Sequence, residues 1–586
     1  MAVSRDGMLA PPRAATREVT FARRGAVALA VCASTFLAIR LDAPAFFDNE
    51  GRYAEVAREM LLRGDWISPH LDFTLFLNKP PLTFWLAAVV FKLGGPDEWA
   101  RLVSVAAGAV AVFATARLGA LLYGNAAGLV GAVALATTLG FVLETRTLRP
   151  DMLITAAVVV ALLCWQAAER STGRSDGHRV RWLVAFYAAL AVGMLAKGFV
   201  PVVIAGLPVA AVTLRDHGWR GVGRLRPGLG LVVVAAIVLP WHVVVALRHP
   251  GFAWDYVVNQ HLLFFLDRKL PRDSEGDGLG FFWAAFAGRA TPWLLLAPLT
   301  VGEALRGSAR RASAAASGTF LLWAWMGGLM LFFSSAPSRL EHYSIPALPA
   351  VGLLAARAWQ RARAGELRRT AWAYLAAVTS LAGLIGVAGL VRGRDLLART
   401  YWIAQAPELL AIAPTAAAVV ALGGALAAAA AIRRRPDWLV GTLTVSVVPL
   451  VLVLLRAEVL AEPIFSWRPL ARALTASVPA DTEIVFEAPE EYQLVGGLVF
   501  YTRRPVTLLR PPGFVPPTYL VGKVEAMFLT RDAFESRWRA GERLAFVSDP
   551  QRRREDPSGL VPAPFHVLGR FGDRWVLTSF PRGAGR

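Results

Sequence analysis

Asp48, Glu50 and Asp151 are carboxylates in a chain that mostly avoids charge: of its 586 residues, 55% are hydrophobic and only 18% charged. The first two lie in FFDNEGRYAEVAREMLLRGDW (46–66), a stretch that also holds Glu55, Arg58, Glu59 and Asp65. The third closes TRTLRPDM (145–152). Four further polar clusters interrupt the apolar sequence: LNKPPLTFW (77–85), AKGFVP (196–201), DYVVNQHLLFFL (255–266) and SSAPSRLEHYSIP (334–346). Together the clusters supply the donors Arg52, Tyr53, Lys79, Arg149, Lys197, His261, Arg339 and Tyr343. Such donors beside a few carboxylates suit binding of an anionic phosphate next to a reaction that needs a carboxylate. Each cluster also has a plainer reading. The acids could cap helices, Lys79 before Pro80-Pro81 could anchor at a bilayer surface, and Lys197-Gly198 could break two antiparallel helices. His261 alone is a weak signal. The chemical reading gains strength because all the clusters fall on one face.

That face follows from the elements that must carry the clusters. The apolar residues run in stretches of about 15 to 22, long enough to cross a bilayer as helices. The net charge of +20 sits in short Arg-rich segments between them. This reads as membrane topology rather than a phosphate-binding face, so no nucleic-acid partner is expected. Cys32 and Cys164 both lie inside apolar runs and imply no disulfide framework. The run from Gly25 to Ile39 follows a basic N-terminus without a small-residue cleavage site and reads as a retained first helix. Twelve more candidate spans follow: 100–121, 126–144, 152–168, 182–196, 199–214, 229–247, 281–301, 317–334, 343–357, 371–391, 409–431 and 438–456. The stretch 81–94 is short for a span and suits an interfacial helix. Placing it on the surface puts the Arg-rich loops 169–181, 215–227, 302–316, 357–370 and 432–437 in the cytoplasm, whereas letting it span inverts the pattern.

The expected fold is therefore an α-helical polytopic membrane protein with about 13 transmembrane helices, outer-face interfacial helices and a small C-terminal soluble α/β domain. Its segments are a basic cytoplasmic N-terminus (1–24), a membrane domain (25–456) with a catalytic outer loop at 42–99, and an extracytoplasmic domain (457–586). Strands are expected at 482–487, 505–510 and 543–549, with a hairpin over 565–580 turning at Gly572-Asp573. All six polar clusters then lie outside.

DNEGRYAEVAREM–GDW, NKPPLTFW, LRPDM, AKGF and SRLEHYSIPALPA, in that order over roughly residues 40–350, resemble the bacterial lipid A aminoarabinose transferases. They also resemble the wider class of polyprenyl-phosphate-sugar glycosyltransferases that includes the protein O-mannosyltransferases. The resemblance implies a multi-span helical fold with an outer catalytic cavity, an acidic first loop and interfacial helices after it. The family pattern reads Asp-Glu, one residue, then Arg-Tyr-Ala-Glu. Here Glu50 matches the Glu, Asn49 stands where the Asp is expected, and Asp48 lies one residue early. The principal role is thus divided between Asp48 and Glu50. Asp151 matches the second acidic position, and Lys79 a lysine that contacts the lipid-linked phosphate.

The activity implied is that of an inverting glycosyltransferase on the outer face of a bacterial inner membrane. Its donor would be a polyprenyl (undecaprenyl) phosphate sugar and its acceptor lipid A or another envelope glycan, with membrane lipids as the surrounding partner. Lys79, Arg339, and Lys197 or a divalent cation would stabilise the phosphate leaving group. No other cofactor is implied. One of Asp48, Glu50 and Asp151 would orient or deprotonate the acceptor, and the first-loop carboxylates are expected to share one cavity with Asp151. The rival readings are a protein O-mannosyltransferase, a lipid-linked saccharide ligase and a flippase. Few mid-span charges and no internal symmetry weigh against the last.

Overall fold

Most of the expected apolar runs fold as single long helices. The computed structural model describes residues 13–171, 176–272, 276–306, 314–552 and 554–581; residues 1–12 of the basic N-terminal segment and 307–313 of the Arg-rich loop at 302–316 lie outside them. Among the described residues, nine helices are long and apolar enough to cross a bilayer, the first at Asp97–Tyr123 and the last at Pro436–Leu460. Asn125–Ala136 and Leu139–Thr145, bent by 64°, make a tenth if taken as one span. The other three expected runs are not among these long apolar helices. The first belongs to one helix, Arg13–Leu37, of which the apolar part is Arg24–Leu37. The run at 281–301 divides into Leu279–Arg289, a 3-10 segment Trp293–Thr300 and Val301–Arg306, with Pro292 and Pro298 at the breaks. The run at 343–357 begins as a 3-10 segment, Glu341–Ala347, and becomes α-helical at Leu348–Arg363. Proline removes an amide donor and clashes with the preceding turn, which accounts for these breaks, although the spans holding Pro208, Pro240, Pro414 and Pro449 continue through theirs.

The loop at 42–99 folds as a helix, Asp48–Arg63, a two-stranded hairpin of β1 (His70–Leu71) and β2 (Thr74–Leu75), and a second helix, Leu82–Leu93. At 12 residues the second helix is too short to span. It packs on the first through Tyr53 and Phe84, whose rings stack at 5.8 Å. The first helix opens at Asp48 itself, so Glu50 sits in its first turn and not upstream of it as the sequence pattern suggests. The side chain of Asp48 lies outside the described set.

Past Ser466 strands join short helices such as Arg468–Ser477 and Arg531–Arg539. Six strands, β3 (Glu483–Glu487), β4 (Thr507–Leu509), β5 (Phe528–Leu529), β6 (Leu544–Val547), β7 (His566–Phe571) and β8 (Arg574–Thr578), form one sheet in the order β5-β4-β3-β6-β8-β7. The first four in chain order are mutually parallel and β8 is antiparallel to β6 and to β7. All four residues of β6 are buried, as expected for a parallel strand covered on both faces. The β7–β8 turn falls at Gly572-Asp573, where the Gly572 φ of +61° needs no Cβ.

Glycine lets this unit dock on the first-loop helix. A Cβ on Gly51 would stand 2.5 Å from Gly497 Cα, and one on Gly496 2.6 Å from Arg52 Cα. Arg52 then reaches Glu491 at 2.9 Å. Gly51→Ala should lower stability by about 1–3 kcal/mol, because neither backbone can yield without moving its helix. Thermal unfolding of the detergent-solubilised protein checks this; an unchanged midpoint would mean that the helices separate freely.

Candidate functional site

Asp151 and Lys197 meet because each ends a helix. Asp151 opens Asp151–Arg170 and Lys197 closes Asp176–Lys197, positions where a carboxylate and an ammonium respectively complement the helix dipole. The two helices pack side by side, and Lys197 Nζ donates to Asp151 Oδ1 at 2.7 Å. Asp151 is 1% exposed. The same ammonium lies 4.6 Å from the centre of the Tyr343 ring, within cation–π range. Gly198, at φ +74°, turns the chain into the next span, and a Cβ there would collide with His261 Nε2.

Around this pair opens a cavity of about 450 Å³. Lys79, Asp151, Lys197, His261 and Tyr343 line it, with Phe199, Val203, Phe264, Phe265 and Phe332 supplying apolar wall. His261 lies in a π-helical turn, Asp255–Leu263, and its Nδ1 stands 2.6 Å from Tyr256 O. A carbonyl only accepts, so Nδ1 carries the proton and Nε2 is an acceptor. Burial pushes His261 down to about 4 against that hydrogen bond, with Lys79 adding repulsion, so the ring is neutral at pH 7.

The remaining expected residues sit behind the cavity or away from it. Glu50 is buried and fully engaged. Arg101 Nε and Nη2 donate to its two oxygens at 2.8 and 2.7 Å, Leu148 N–H to Oε1 at 2.8 Å and Phe47 N–H to Oε2 at 3.0 Å. Burial opposes its charge, but Arg101 and the hydrogen bonds outweigh that and hold the carboxyl below its usual range. Glu50 therefore does not line the cavity with Asp151. It fixes Leu148, three residues before Asp151. Arg339, expected at a phosphate, directs its guanidinium to the carbonyls of Phe333, Ser334 and Asp277 and so clamps two loops instead. Arg52 pairs with Glu491 and Asn49. Tyr53 is buried on Phe84; burial, opposed by Arg52 and reinforced by Asp151, raises its hydroxyl to about 12. Arg149 lies in the field of Glu144, Asp151, Glu50 and Glu341.

Sequence reasoning missed Glu144, Arg289, Glu341 and His342. Arg289 bridges Glu341 at 2.8 Å and Glu144 at 3.8 Å, and His342 stands 3.7 Å from Glu341 while acting electrostatically on Asp151. Burial raises Glu341, but His342 and Arg289 hold it well below its usual range. The Glu-His pair inside SRLEHYSIP was the available signal; Arg289 carried none. Among the described residues no group of three or more His, Cys, Asp or Glu could hold a metal ion.

Two other acids of the opening stretch hold its helix and the hairpin turn. Glu55 holds Arg58 at 2.7 and 2.5 Å, and both Glu59 oxygens accept the Phe73 N–H at 3.1 and 3.0 Å. Burial and the neighbouring Glu55 carboxylate push Glu59 up to about 8, and burial pushes Asp72 up to about 7.

Residues 78–243 match the family described as dolichyl-phosphate-mannose-protein mannosyltransferase. The undecaprenyl phosphate-alpha-4-amino-4-deoxy-L-arabinose arabinosyl transferase of Serratia proteamaculans is 28% identical over 60% of this chain and 62% of its own length, just under two thirds. The protein of the same name from Pectobacterium carotovorum is 27% identical over 91% of this chain and 93% of its own. The crystal structure of ArnT from Cupriavidus metallidurans bound to undecaprenyl phosphate superposes with a TM-score of 0.76 at 22% identity, covering 94% of this chain and 98% of that one. The chain resembles the aminoarabinose transferases in sequence and shares the polytopic helical fold of the solved one.

Two outcomes follow from the buried charges. Arg101→Ala strands Glu50 in the interior and should cost about 3–5 kcal/mol, read as a lowered unfolding midpoint. Glu59 and Asp72 hold protons in the folded state that the unfolded chain releases near the ordinary carboxylate range. Their contribution to stability is intact below about pH 4.5 and declines as pH rises through 7 and 8. Hydrogen exchange at residues 70–76 should accelerate between pH 6 and 8 beyond the intrinsic rate, and Glu59→Gln should suppress that excess.

Proposed function

We propose that the chain is a multi-pass glycosyltransferase that moves one sugar from a polyprenyl phosphate donor to an acceptor on the outer face of a bacterial inner membrane. The observation that carries this reading is the cavity in which Lys79 and the Lys197–Asp151 pair share a largely aromatic and aliphatic lining. A lipid-linked sugar phosphate asks for that combination: a cation for phosphate, a carboxylate for sugar or acceptor, and apolar wall for the isoprenoid. The names of the two relatives, both undecaprenyl-phosphate aminoarabinose transferases, support the same donor class. Counting the bent pair, Arg24–Leu37 and the two proline-broken runs as crossings beside the nine long helices gives thirteen, with the N-terminal segment (1–24) inside. The loop at 42–99 and the unit at 457–586 then lie outside, an orientation supported by the Arg-rich loops on the opposite side.

The acceptor oxygen attacks the anomeric carbon as the bond to the phosphate oxygen breaks; the electron pair leaves with the phosphate and the configuration inverts. Lys79 stabilises the charge that develops there, a term worth about 10² to 10³ in rate for a single well-placed donor. Lys197 holds Asp151 Oδ1, leaving Oδ2 for the substrate. A hydroxyl acceptor gives its proton to Asp151. A phosphate acceptor has none to give, and Asp151 then orients the sugar. Tyr343 braces Lys197, and neutral His261 offers Nε2 as an acceptor for a sugar hydroxyl. Glu50 acts through Leu148 as a positioning residue. Lipid A or another envelope glycan is the acceptor class; a protein hydroxyl is the second reading, favoured only by the mannosyltransferase match over residues 78–243.

Asp151→Asn and Lys79→Ala, reconstituted with undecaprenyl phosphate sugar and envelope lipid, should each lose about 100-fold or more in transfer with insertion intact. Mass spectrometry of a deletion strain should show one sugar missing from lipid A or envelope glycans and its polyprenyl phosphate form accumulating. Full transfer by both variants would refute the assignment.

A further inference from the structure

A second cavity, of about 850 Å³, opens at the sheet. Its floor consists of the loops leaving the carboxyl ends of three parallel strands: Pro489–Glu491 after β3, Pro511-Pro512 after β4 and Asp549–Arg552 after β6. At β3 the connections diverge, β4 and β5 adding on one side and β6 on the other. Open parallel sheets bind ligands at such a switch point, where neighbouring loops part. The opposite wall comes from the membrane unit, through Asp267, Arg272 and Pro337.

This crevice adjoins the first cavity. Pro337 faces the crevice while its neighbours Ala336 and Ser338 line the other cavity, so one thickness of chain separates the two. The partition is firm: Gly276 packs so close to the Pro337 carbonyl that a Cβ would clash, and Asp277 N–H donates to Arg339 O at 2.7 Å.

The lining specifies a ligand class. Both lining arginines already face a carboxylate, Arg272 that of Asp267 at 3.5 Å and Arg552 that of Asp549 at 3.6 Å, and Glu491 is held by Arg52, so Glu490 adds a negative charge beyond these pairs, which disfavours a phosphate-rich group. Asp549 is 3% exposed yet lines the crevice; its Oδ1 accepts from Gln551 N–H at 2.8 Å and its Oδ2 faces Arg552 Nε at 3.6 Å, which leaves lone pairs on both oxygens. Carboxylates and an amide accept hydroxyl protons, and the rigid proline faces suit the C–H faces of sugar rings. We infer that the crevice holds an unphosphorylated, hydroxyl-rich saccharide portion of the acceptor beside the donor cavity, an inference that rests on the transfer reading above.

The test uses the full chain in lipid nanodiscs without donor. Saturation-transfer NMR titrations would compare neutral disaccharides (chitobiose, maltose and mannobiose) with inorganic pyrophosphate. At least one disaccharide should bind in preference to pyrophosphate, and the exposed-site double variant Glu490→Gln/Gln551→Ala should weaken it at least fivefold. Asp549→Asn should weaken it comparably, and none of these substitutions should alter release of sugar to water from polyprenyl phosphate sugar. Failure of all three disaccharides to bind, equal binding by the variants, or a preference for pyrophosphate overturns the inference whether or not donor is consumed. Disaccharide binding with no donor consumption overturns the transfer reading, and the crevice's role as acceptor site with it.

Discussion

The Glu50 carboxylate is the constraint on which the first loop and the approach to Asp151 depend. A buried charge of this kind is tolerable only when its lone pairs are satisfied, and here four donors from three segments converge on it. Arg101, which opens the Asp97–Tyr123 span, also donates to the carbonyls of Leu41, Pro44 and Ala45, so the entry to the first loop is held from the same point. Leu148 is held from the other side, and with it the approach to Asp151. Arg146 repeats the device one turn away, reaching the carbonyls of Leu37 and Ile39 at 2.6 and 2.9 Å. A membrane helix bundle has little apolar driving force to order its loops; directed hydrogen bonds to buried charges supply the order here.

The cavity is built where regular backbone stops. His261 comes from a π-turn, Tyr343 from a 3-10 segment and Asp151 and Lys197 from helix ends. Non-helical backbone at membrane depth survives only where protein or a polar cavity satisfies it. The breaks that spoil the count of simple spans, such as Pro346 after Tyr343, are thus the same features that turn polar side chains inward.

Much of the architecture was legible because it rests on composition. The Arg-rich loops, the short length of 82–93 and the β-period of the last 120 or so residues are statements about solvation, and solvation acts on every residue in a run. The hairpin at Gly572-Asp573 was readable from turn chemistry. The internal partners were not. Nothing in DNEGRY says that Glu50 will meet Arg101, 51 residues on, or that Arg339 will meet carbonyls rather than solvent. Helix starts also blur: Asp48 and Glu50 read as upstream residues because acids favour both the cap and the first turn. Glu341 and His342 were in view in a cluster already singled out, yet only the fold shows Arg289 arriving to make them a network.

The contact of the first-loop helix with Gly496, Gly497 and Glu491 has a bearing on biogenesis. Arg52 and Glu491 are 439 residues apart. At about 5–20 residues per second of synthesis, the first loop emerges roughly 20–90 seconds before its partner exists. During that interval the glycine face and the Arg52 side chain stand open at the membrane surface. The lining of the first cavity is complete once Tyr343 has been made, whereas the crevice against the sheet is completed last, and a ribosome stalled before residue 489 leaves that crevice without its sheet wall.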